Sequence, residues 1–322
     1  MSHGMVLGKF MPPHGGHVYL IEVARRLCDD LTIVVGSLAR EPIPGELRAG
    51  WMRAIFPDLR VVHLTDENPQ APSEHPDFWD IWRASLLRVL PRPPDLVFTS
   101  DAYGGRLADV LGARWIPVNP VRVARPICAS EIRADPLGHW DFLPRPVRPY
   151  YLRRVSVFGP ESTGKTSLAA RLAERFETVW VPEYARTHLE AHQVAAPSPE
   201  DLAMIARGQA ACEDALALDA RRLLLTDTDP LLTCVWSGAL FGEVPPAVAA
   251  VAAGRRYDLT LLLDVDLPWV ADPVRYLPSD RRGFFERCAA ALDAAGRRTA
   301  VIRGEGAARV EAAARAVVEV LR

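Results

Sequence analysis

Lysine is almost absent from this 322-residue sequence. Of its 38 basic residues, only Lys9 and Lys165 are lysines, so arginine supplies nearly all of the positive charge. Such a bias is expected from GC-rich coding DNA, and it leaves lysine where arginine cannot take its place. Each of the two lysines therefore marks a position where a specific chemical role is expected.

Other absences exclude whole classes of protein. The 40 acidic and 38 basic residues nearly cancel, so the chain lacks the strongly basic face that is typical of nucleic-acid binding. No stretch approaches the roughly 18 consecutive apolar residues of a membrane span. The five cysteines are odd in number and never form a C-x-x-C pair, which disfavours a disulfide framework and a thiolate zinc site. We expect a cytoplasmic protein with no nucleic-acid or membrane partner, and the sequence leaves open whether it forms a homo-oligomer.

Short runs of β-branched residues alternate with helical patterns along the chain. This alternation is typical of parallel sheets built from right-handed βαβ units. Three prolines within residues 144–150 prevent a regular helix, and the alternation restarts at residue 153. We therefore predict an α/β fold with two domains, residues 1–149 and 150–322, each a parallel sheet flanked by helices. The predicted strands are residues 5–10, 31–37, 60–64, 95–100, 114–118, 153–158, 179–182, 223–227, 259–264 and 299–303. The predicted helices are residues 17–28, 165–176, 199–222, 247–253 and 307–321.

Lys165 belongs to a phosphate-binding motif. The residues from Gly159 to Thr166 fit G-x-x-x-x-G-K-[ST] and lie between a predicted strand and a predicted helix, as this motif requires. Its glycines allow backbone N–H groups to converge on phosphate oxygens, and a flexible ammonium follows the β- and γ-phosphates as a point charge. The alternative is an ordinary glycine-containing turn. The residues assigned to ATP are Gly159, Glu161, Ser162, Thr163, Gly164, Thr166 and Ser167, with Lys165 as a catalytic residue.

Two carboxylates follow a later strand. Asp227 and Asp229 lie in T-D-T-D at the edge where ligands bind in such sheets. A kinase needs a group that accepts the proton of the attacking hydroxyl, because an alcohol is a poor nucleophile at pH 7. We predict that one aspartate is this base and that the other orders Mg²⁺ or the substrate, with Asp227 and Thr166 as the magnesium ligands. An aspartate after a strand is also a common helix N-cap, so one of the pair has that alternative.

Two further segments are candidates for the same site. Glu183, Tyr184 and Arg186 lie just beyond another predicted strand and are candidate substrate contacts. Residues 280–282, Asp-Arg-Arg, lie in a polar segment that prolines flank and form a candidate lid, in which Arg281 would bring a guanidinium to the transferring phosphoryl group. A solvated surface is the alternative for these arginines.

Lys9 lies in a second turn between a strand and a helix. Residues 8–17, Gly-Lys-Phe-Met-Pro-Pro-His-Gly-Gly-His, follow the first strand directly and lead into an amphipathic helix. His14 and His17 present imidazole donors, together with backbone N–H groups, to one anion. Metal binding is disfavoured because no third ligand lies at zincin spacing. A surface turn with incidental histidines is the other alternative.

The two turns together resemble a known family. The H-x-G-H box is similar to that of nucleotidyltransferases that move AMP or CMP from a triphosphate onto a phosphate acceptor. Residues 127–133, Ile-Cys-Ala-Ser-Glu-Ile-Arg, resemble the later I-S-[AST]-T-x-I-R segment of that superfamily. Such a transferase joined to a P-loop kinase resembles the bifunctional NadR-type family of NAD salvage, which combines nicotinamide mononucleotide (NMN) adenylyltransferase with ribosylnicotinamide kinase. The resemblance also covers residues 99–104, 140–149, 159–166, 183–186, 226–229 and 269–272.

The resemblance implies a set of site residues. It assigns ATP or phosphate contacts in the first domain to Gly8, Lys9, Phe10, His14, His17, Ser130 and Arg133, with the two histidines catalytic. Cys128 stands where the family has a hydroxyl, which is a stronger hydrogen-bond partner for phosphate. A cationic nicotinamide ring favours aromatic faces, although each candidate aromatic has a place in the core as its alternative. The candidate substrate contacts are Trp79, Trp82, Tyr103, Trp236 and Tyr257, together with Asp272 and Arg275.

The resemblance also implies two reactions that use ATP and Mg²⁺. A Rossmann-like nucleotidyltransferase domain would transfer AMP from ATP to NMN, giving NAD and pyrophosphate. A P-loop kinase domain would phosphorylate nicotinamide riboside to NMN. Some relatives begin with a helix-turn-helix repressor module, but this chain begins at the first transferase strand, so repression is not expected. The alternatives are a coenzyme A synthase with the same two folds and a chain in which one domain is a non-catalytic nucleotide sensor.

Overall fold

The computed structural model describes residues 1–194, 196–270 and 280–322. The chain forms two compact units, Met1–Arg148 and Pro149–Arg322. Asp272 and Arg275, which the resemblance assigns to substrate, lie outside the described residues. Within the described ranges, no helix combines the length and the apolar character that a membrane crossing requires.

The first unit is a parallel sheet with helices between its strands. Its strands are β1 (His3–Gly8), β2 (Asp30–Gly36), β3 (Arg60–Leu64), β4 (Leu96–Thr99) and β5 (Arg114–Pro117). Its helices are α1 (Gly15–Ala24), α2 (Gly45–Ile55), α3 (Phe78–Val89), α4 (Tyr103–Leu111) and α5 (Ala129–Ala134), and α6 (Arg148–Tyr151) spans the sequence junction between the units. The strand order is β3-β2-β1-β4-β5, and each of these pairings is parallel. β1 therefore lies at the centre of the sheet.

The second unit is also a parallel sheet flanked by helices. Its strands are β6 (Arg153–Phe158), β7 (Trp180–Val181), β8 (Leu223–Asp227), β9 (Leu259–Leu263) and β10 (Thr299–Ile302). Its helices are α7 (Lys165–Arg175), α8 (Tyr184–Ala191), α9 (Pro199–Leu216), α10 (Pro230–Phe241), α11 (Pro246–Ala253), α12 (Arg281–Ala294) and α13 (Gly306–Leu321). The strand order is β10-β9-β6-β8-β7, again with parallel pairings, so β6 is central.

The predicted α/β fold is confirmed, and each predicted strand overlaps an observed one. β1 ends at Gly8 rather than at residue 10, because Phe10 has a φ of 47°, in the left-handed region that a strand does not include. The helix predicted over 199–222 ends at Leu216, and Arg222 has a φ of 64°. The helices α2, α3, α4, α5, α6, α8, α10 and α12 are absent from the prediction.

One face of the second sheet forms an apolar layer. Val155 and Val157 of β6 are fully buried with Leu225 and Leu261, against α7 and α13. Burial of side chains of this size contributes about 1.5–3 kcal/mol each. Since α7 begins at Lys165, this packing also holds the phosphate motif at the end of β6.

Both motif-bearing turns follow a central strand. In each sheet the chain first adds two strands on one side of the central strand and then crosses to the other side. Ligands bind at such a switch point, at the carboxyl ends of the strands. The histidine turn follows β1 and the G-x-x-x-x-G-K-T turn follows β6. The two motifs therefore lie at equivalent places in their sheets.

Two candidate nucleotide-binding sites

The turn after β1 brings the two histidines together. His14 is the N-cap of α1, and its Nδ1 accepts a hydrogen bond from the backbone N–H of Gly16 at 3.1 Å. Its ring stacks on that of His17 with the ring centroids 3.7 Å apart, and Phe10 meets His17 edge-on at 4.9 Å. Because Nδ1 of His14 is an acceptor, the proton of its neutral ring lies on Nε2, where it serves as a donor.

Both imidazoles are neutral at pH 7. Burial lowers the pKa of His14 to about 4, and the positive charge of Arg122 adds to this effect. Burial, His14 and Arg122 together hold the pKa of His17 well below its ordinary value. The pair therefore offers hydrogen-bond donors to a phosphate rather than two fixed positive charges.

Lys9 takes part in a network of charges beside this turn. Its Nζ lies 2.8 Å from Oε1 of Glu41, and the other carboxylate oxygen of Glu41 contacts the guanidinium of Arg48. Arg48 is fully buried and also donates to the backbone carbonyls of Ile43, Gly36 and Lys9. One guanidinium thus joins the loops that follow β1 and β2.

Sequence reasoning missed Arg48. The residue lies on the buried face of α2 with Ala49 and Met52, so a charged side chain stands where the helical period predicts an apolar one. That mismatch is the signal in the sequence that marks Arg48.

The segment that contains Ser130 and Arg133 forms another wall of the site. Cys128 is the N-cap of α5, where its N–H donates to Oε2 of Glu131 at 2.7 Å and its Sγ lies 2.9 Å from Oγ of Ser130. Arg133 donates to the carbonyl of Met11 at 2.5 Å, which ties α5 to the histidine turn. Cys128 therefore keeps the capping position of the hydroxyl that it replaces.

One cavity of about 660 Å³ extends from the histidine turn and Lys9 to Ser130 and Arg133. It is lined by all the residues that the sequence assigns to the first domain: Gly8, Lys9, Phe10, His14, His17, Trp79, Trp82, Tyr103, Ser130 and Arg133. Arg122 and Arg125 also line it and were missed. Their signal is a pair of arginines directly before the 127–133 segment.

The turn after β6 has the backbone geometry of a phosphate cradle. Gly159 and Gly164 have φ values of 135° and 80°, which favour glycine, and Ser162 has a φ of 57°. A Cβ on Gly159 would lie 3.0 Å from the carbonyl oxygen of Leu263, so a larger residue would push the turn away from β9. Lys165 begins α7, and its Nζ donates to the carbonyl of Pro160 at 3.0 Å.

Asp227, the last residue of β8, lies beside the start of α7. Oγ1 of Thr166 donates to its Oδ2 at 2.5 Å, while its buried Oδ1 has no hydrogen-bond partner within the described residues. Burial and the negative charge of Glu183 raise the pKa of Asp227 to about 7, and the positive charge of Lys165 opposes the shift. Hydroxyl and carboxylate oxygens that converge beside a phosphate cradle are the donors that Mg²⁺ prefers.

Asp229 has a different position. It is the N-cap of α10, where its Oδ1 accepts a hydrogen bond from the N–H of Leu231 at 2.7 Å, and it is buried. Like Asp227, it is absent from the lining of the cavity beside the phosphate turn. The helix-cap alternative therefore fits Asp229, and its catalytic role stays a prediction.

A second cavity, of about 170 Å³, adjoins the phosphate turn. The predicted residues that line it are Glu161, Ser162, Thr163, Gly164, Lys165, Thr166, Ser167, Glu183, Arg186 and Trp236. Tyr184 and Tyr257 do not line it. The ring of Tyr184 packs against Gly208, whereas the hydroxyl of Tyr257 donates to Glu213 at 2.7 Å. The guanidinium of Arg297 lies 4.4 Å from the ring centroid of Tyr257, so one face of that ring already carries a cation.

Comparison with known proteins identifies the family. Residues 154–309 match a family model described as an AAA domain. The trifunctional NAD biosynthesis/regulator protein NadR of Escherichia coli strain K12 is 31% identical over 304 residues, which cover 87% of this chain and 74% of that relative. The chain belongs to the NadR family. The resemblance that the motifs predicted is thereby confirmed.

Solved NadR structures share the fold of the chain. A NadR protein in complex with NAD and AMP-PNP matches with a TM-score of 0.82 at 24% identity, covering 99% of this chain and 96% of that one. A NadR protein in complex with NR matches with a TM-score of 0.83 at 23% identity and the same coverage. Nicotinamide-nucleotide adenylyltransferase of Thermococcus kodakarensis is 27% identical over 139 residues, which cover 41% of this chain and 71% of that relative. This NadR-family chain thus has the fold of the solved NadR proteins over nearly its whole length.

The lowered pKa of His14 predicts a loss of stability in acid. Between pH 6.5 and pH 4 the unfolded chain binds a proton that the buried ring does not, so stability falls as pH is lowered through this window. From pH 7 to pH 5 the loss due to His14 is about 2 kcal/mol. His14→Asn keeps an N-cap acceptor and removes this titration. Urea unfolding at the two pH values should therefore show a smaller difference for the variant, and an equal difference would contradict the burial of a neutral His14.

Proposed function

We propose that this NadR-family protein makes NAD in two ATP-dependent reactions. Residues 150–322 phosphorylate nicotinamide riboside to NMN, and residues 1–149 transfer AMP from ATP to NMN. The observation that carries the proposal is a chemical difference between the two cavities. The carboxylates that line the first cavity, Glu41, Asp66 and Asp101, are each paired with a lysine or an arginine. Glu161 and Glu183 line the second cavity beside the phosphate turn, and Glu183 has no such ion pair within the described residues.

The first site suits adenylyl transfer because this reaction needs no base. The phosphate of NMN is already an anion, and its oxygen attacks the α-phosphorus as the bond to pyrophosphate breaks, so no proton has to be removed. The imidazole N–H groups of His14 and His17 donate to the phosphates, while Lys9 and Arg133 neutralise the developing charge. To reach a phosphate, the ammonium of Lys9 exchanges its contact with Glu41 for the ligand.

The second site suits phosphorylation of an alcohol. The ribose hydroxyl attacks the γ-phosphorus as the bond to ADP breaks, and the proton of the hydroxyl passes to a carboxylate. Asp229 caps α10 and Asp227 is bonded to Thr166, while two carboxylates, Glu161 and Glu183, line the cavity. Glu161 belongs to the turn that cradles the phosphates of ATP, which leaves Glu183, just before α8, for the acceptor. We therefore assign Glu183 as the base. Lys165 holds the β- and γ-phosphates.

Thr166 and Asp227 fit the magnesium ion that such a reaction requires. Their oxygens lie 2.5 Å apart, and Oδ1 of Asp227 is buried with no protein partner among the described residues. When bound there, Mg²⁺ would neutralise charge on the β- and γ-phosphates.

Aromatic side chains support recognition of the cationic nicotinamide ring. Trp79 and Tyr103 line the first cavity and Trp236 lines the second. Aromatic faces attract cations by about 0.5–2 kcal/mol. The NadR proteins solved with NR and with NAD and AMP-PNP support the same class of ligands for this chain.

Two substitutions test the division of labour between the sites. Lys165→Ala is expected to abolish phosphorylation of nicotinamide riboside while NMN is still converted to NAD, because the first site does not use Lys165. His17→Ala is expected to do the reverse. The measurement is the product formed from nicotinamide riboside or from NMN in the presence of ATP and Mg²⁺. Pantetheine phosphate and dephospho-CoA serve as control acceptors. Loss of both activities in either folded variant, or turnover of only the control acceptors by the unsubstituted protein, would refute the proposal.

A series of carboxylate variants tests the assignment of the base. Glu183→Gln should lower kcat for riboside phosphorylation about 100-fold or more, because it removes the proton acceptor but leaves the phosphate cradle intact. Asp229→Asn retains a capping oxygen and should keep kcat within about tenfold of the original value. The KM for ATP should change little in Glu183→Gln. The assignment fails if Asp229→Asn is folded and as inactive as Glu183→Gln.

A further inference from the structure

Two arginines bind the outer side of the phosphate turn. The backbone carbonyls of Glu161, Ser162 and Thr163, three successive residues, each accept a hydrogen bond from a guanidinium group. The donors are Arg281 at the start of α12 and Arg309 in α13. Neither arginine belongs to the phosphate motif, so the motif does not predict these contacts.

Arg309 is almost completely buried, with 4% of its surface exposed. Its Nη2 donates to the carbonyl of Thr163 at 3.0 Å and to that of Asp264 at 3.3 Å. Its Nη1 donates to the carbonyl of Gly304 and to the carboxylate of Asp266, each at 2.5 Å. A single guanidinium therefore ties the phosphate turn to the segments that follow β9 and β10.

Arg281 uses all three of its guanidinium nitrogens on the backbone. Nε donates to the carbonyl of Glu161 at 3.3 Å, Nη2 to that of Ser162 at 2.9 Å, and Nη1 to that of Leu267 at 2.9 Å. This position differs from the one that the sequence predicted, in which Arg281 approaches the transferring phosphoryl group. Here the guanidinium lies on the carbonyl side of the turn.

These carbonyl contacts fix the direction of the N–H groups. In a trans peptide unit the C=O and the next N–H point in opposite directions. No cis peptide occurs in the described residues of this turn. Contacts that hold the carbonyls of residues 161–163 outwards therefore turn the N–H groups of Ser162, Thr163 and Gly164 towards the cavity that these residues line. Within the described part of the chain the three N–H groups have no acceptor, so they are left for an anion.

We propose that Arg281 and Arg309 are positioning residues that clamp the phosphate turn in the conformation that binds a nucleoside di- or triphosphate. The clamp rests on the kinase site of the proposed function but not on the identity of its acceptor. It acts on the N–H cradle, which holds the α- and β-phosphates, so it affects ADP and ATP alike. An arginine that touched only the γ-phosphoryl group would affect ATP and leave ADP binding unchanged.

Arg309→Met tests the clamp, with Arg255→Met as its matched control. Arg255 makes a similar set of contacts, to the carboxylate of Asp214 and the carbonyl of Ala210, but it precedes β9 at the sheet edge away from the phosphate turn. We expect Arg309→Met to raise both the KM for ATP in riboside phosphorylation and the inhibition constant of ADP about tenfold or more, because N–H contacts to both nucleotides are lost. Arg255→Met should leave both within about twofold. Thermal unfolding of both variants separates loss of stability from loss of the cradle.

Arg281→Met provides a second test if Arg309→Met does not fold. It should raise the same two constants together, while formation of NAD from NMN in the same preparation stays unchanged. A loss of kcat with an unchanged inhibition constant for ADP would place Arg281 at the γ-phosphoryl group and overturn its part of the clamp. An unchanged ADP constant in folded Arg309→Met would overturn the rest.

A binding measurement separates this proposal from the proposed function. If the unsubstituted protein does not phosphorylate the riboside, calorimetric titration with ADP and Mg²⁺ compares the same variants without an acceptor. Weaker ADP binding in Arg309→Met than in Arg255→Met would support the clamp although the proposed function had failed. Equal binding would overturn the clamp even if the riboside is a substrate.

Discussion

Each half of this protein brings backbone N–H groups to the point where a central parallel strand turns into a helix, and the rest of both sites depends on that constraint. A helix N-terminus has N–H groups without partners in the helix and carries partial positive charge, so it suits phosphate. β1 and β6 lead to such a point at the ligand-binding edge of their sheets. The turn that follows determines the chemistry. After β6 it is a glycine-dependent cradle, whereas after β1 the neutral ring of His14 caps the helix and stacks on His17.

The scarcity of lysine and the abundance of arginine have a common structural meaning in these sites. Arg48, Arg281 and Arg309 each donate to several backbone carbonyls, which the five donors of the planar guanidinium reach over a wider area than the three donors of one ammonium. Arginine thus shapes the loops, while Lys9 and Lys165 lie in the turns where phosphate is proposed to bind. Lys165 donates a hydrogen bond to the carbonyl of Pro160, and Lys9 forms an ion pair with Glu41. Because both side chains are flexible, each ammonium can exchange this contact for a phosphate.

Local patterns predicted much of this architecture, and long-range contacts explain most of what they missed. The strands and both candidate phosphate-binding turns could be predicted because the pattern of each lies within one short segment of the sequence. α10 was missed because it is apolar on most sides and shows no helical period. Asp227 and Asp229 look equivalent in T-D-T-D, but Thr228 between them has a φ of 69°, which turns Asp229 into a helix cap. Arg309 lies 146 residues from Thr163, the residue whose carbonyl it binds, so no local pattern could relate the two.

The central claim is that one chain holds two ATP-dependent sites with different chemistry. The most direct test of this claim measures the amounts of the products formed. The unsubstituted protein is incubated with nicotinamide riboside, ATP and Mg²⁺, and NAD, ADP and pyrophosphate are quantified together over time. Two reactions in sequence predict one pyrophosphate for each NAD formed and one ADP for each molecule of NAD or accumulated NMN, with NMN as the only intermediate. Formation of ADP and NMN without pyrophosphate, or of NAD without matching ADP, would contradict the account.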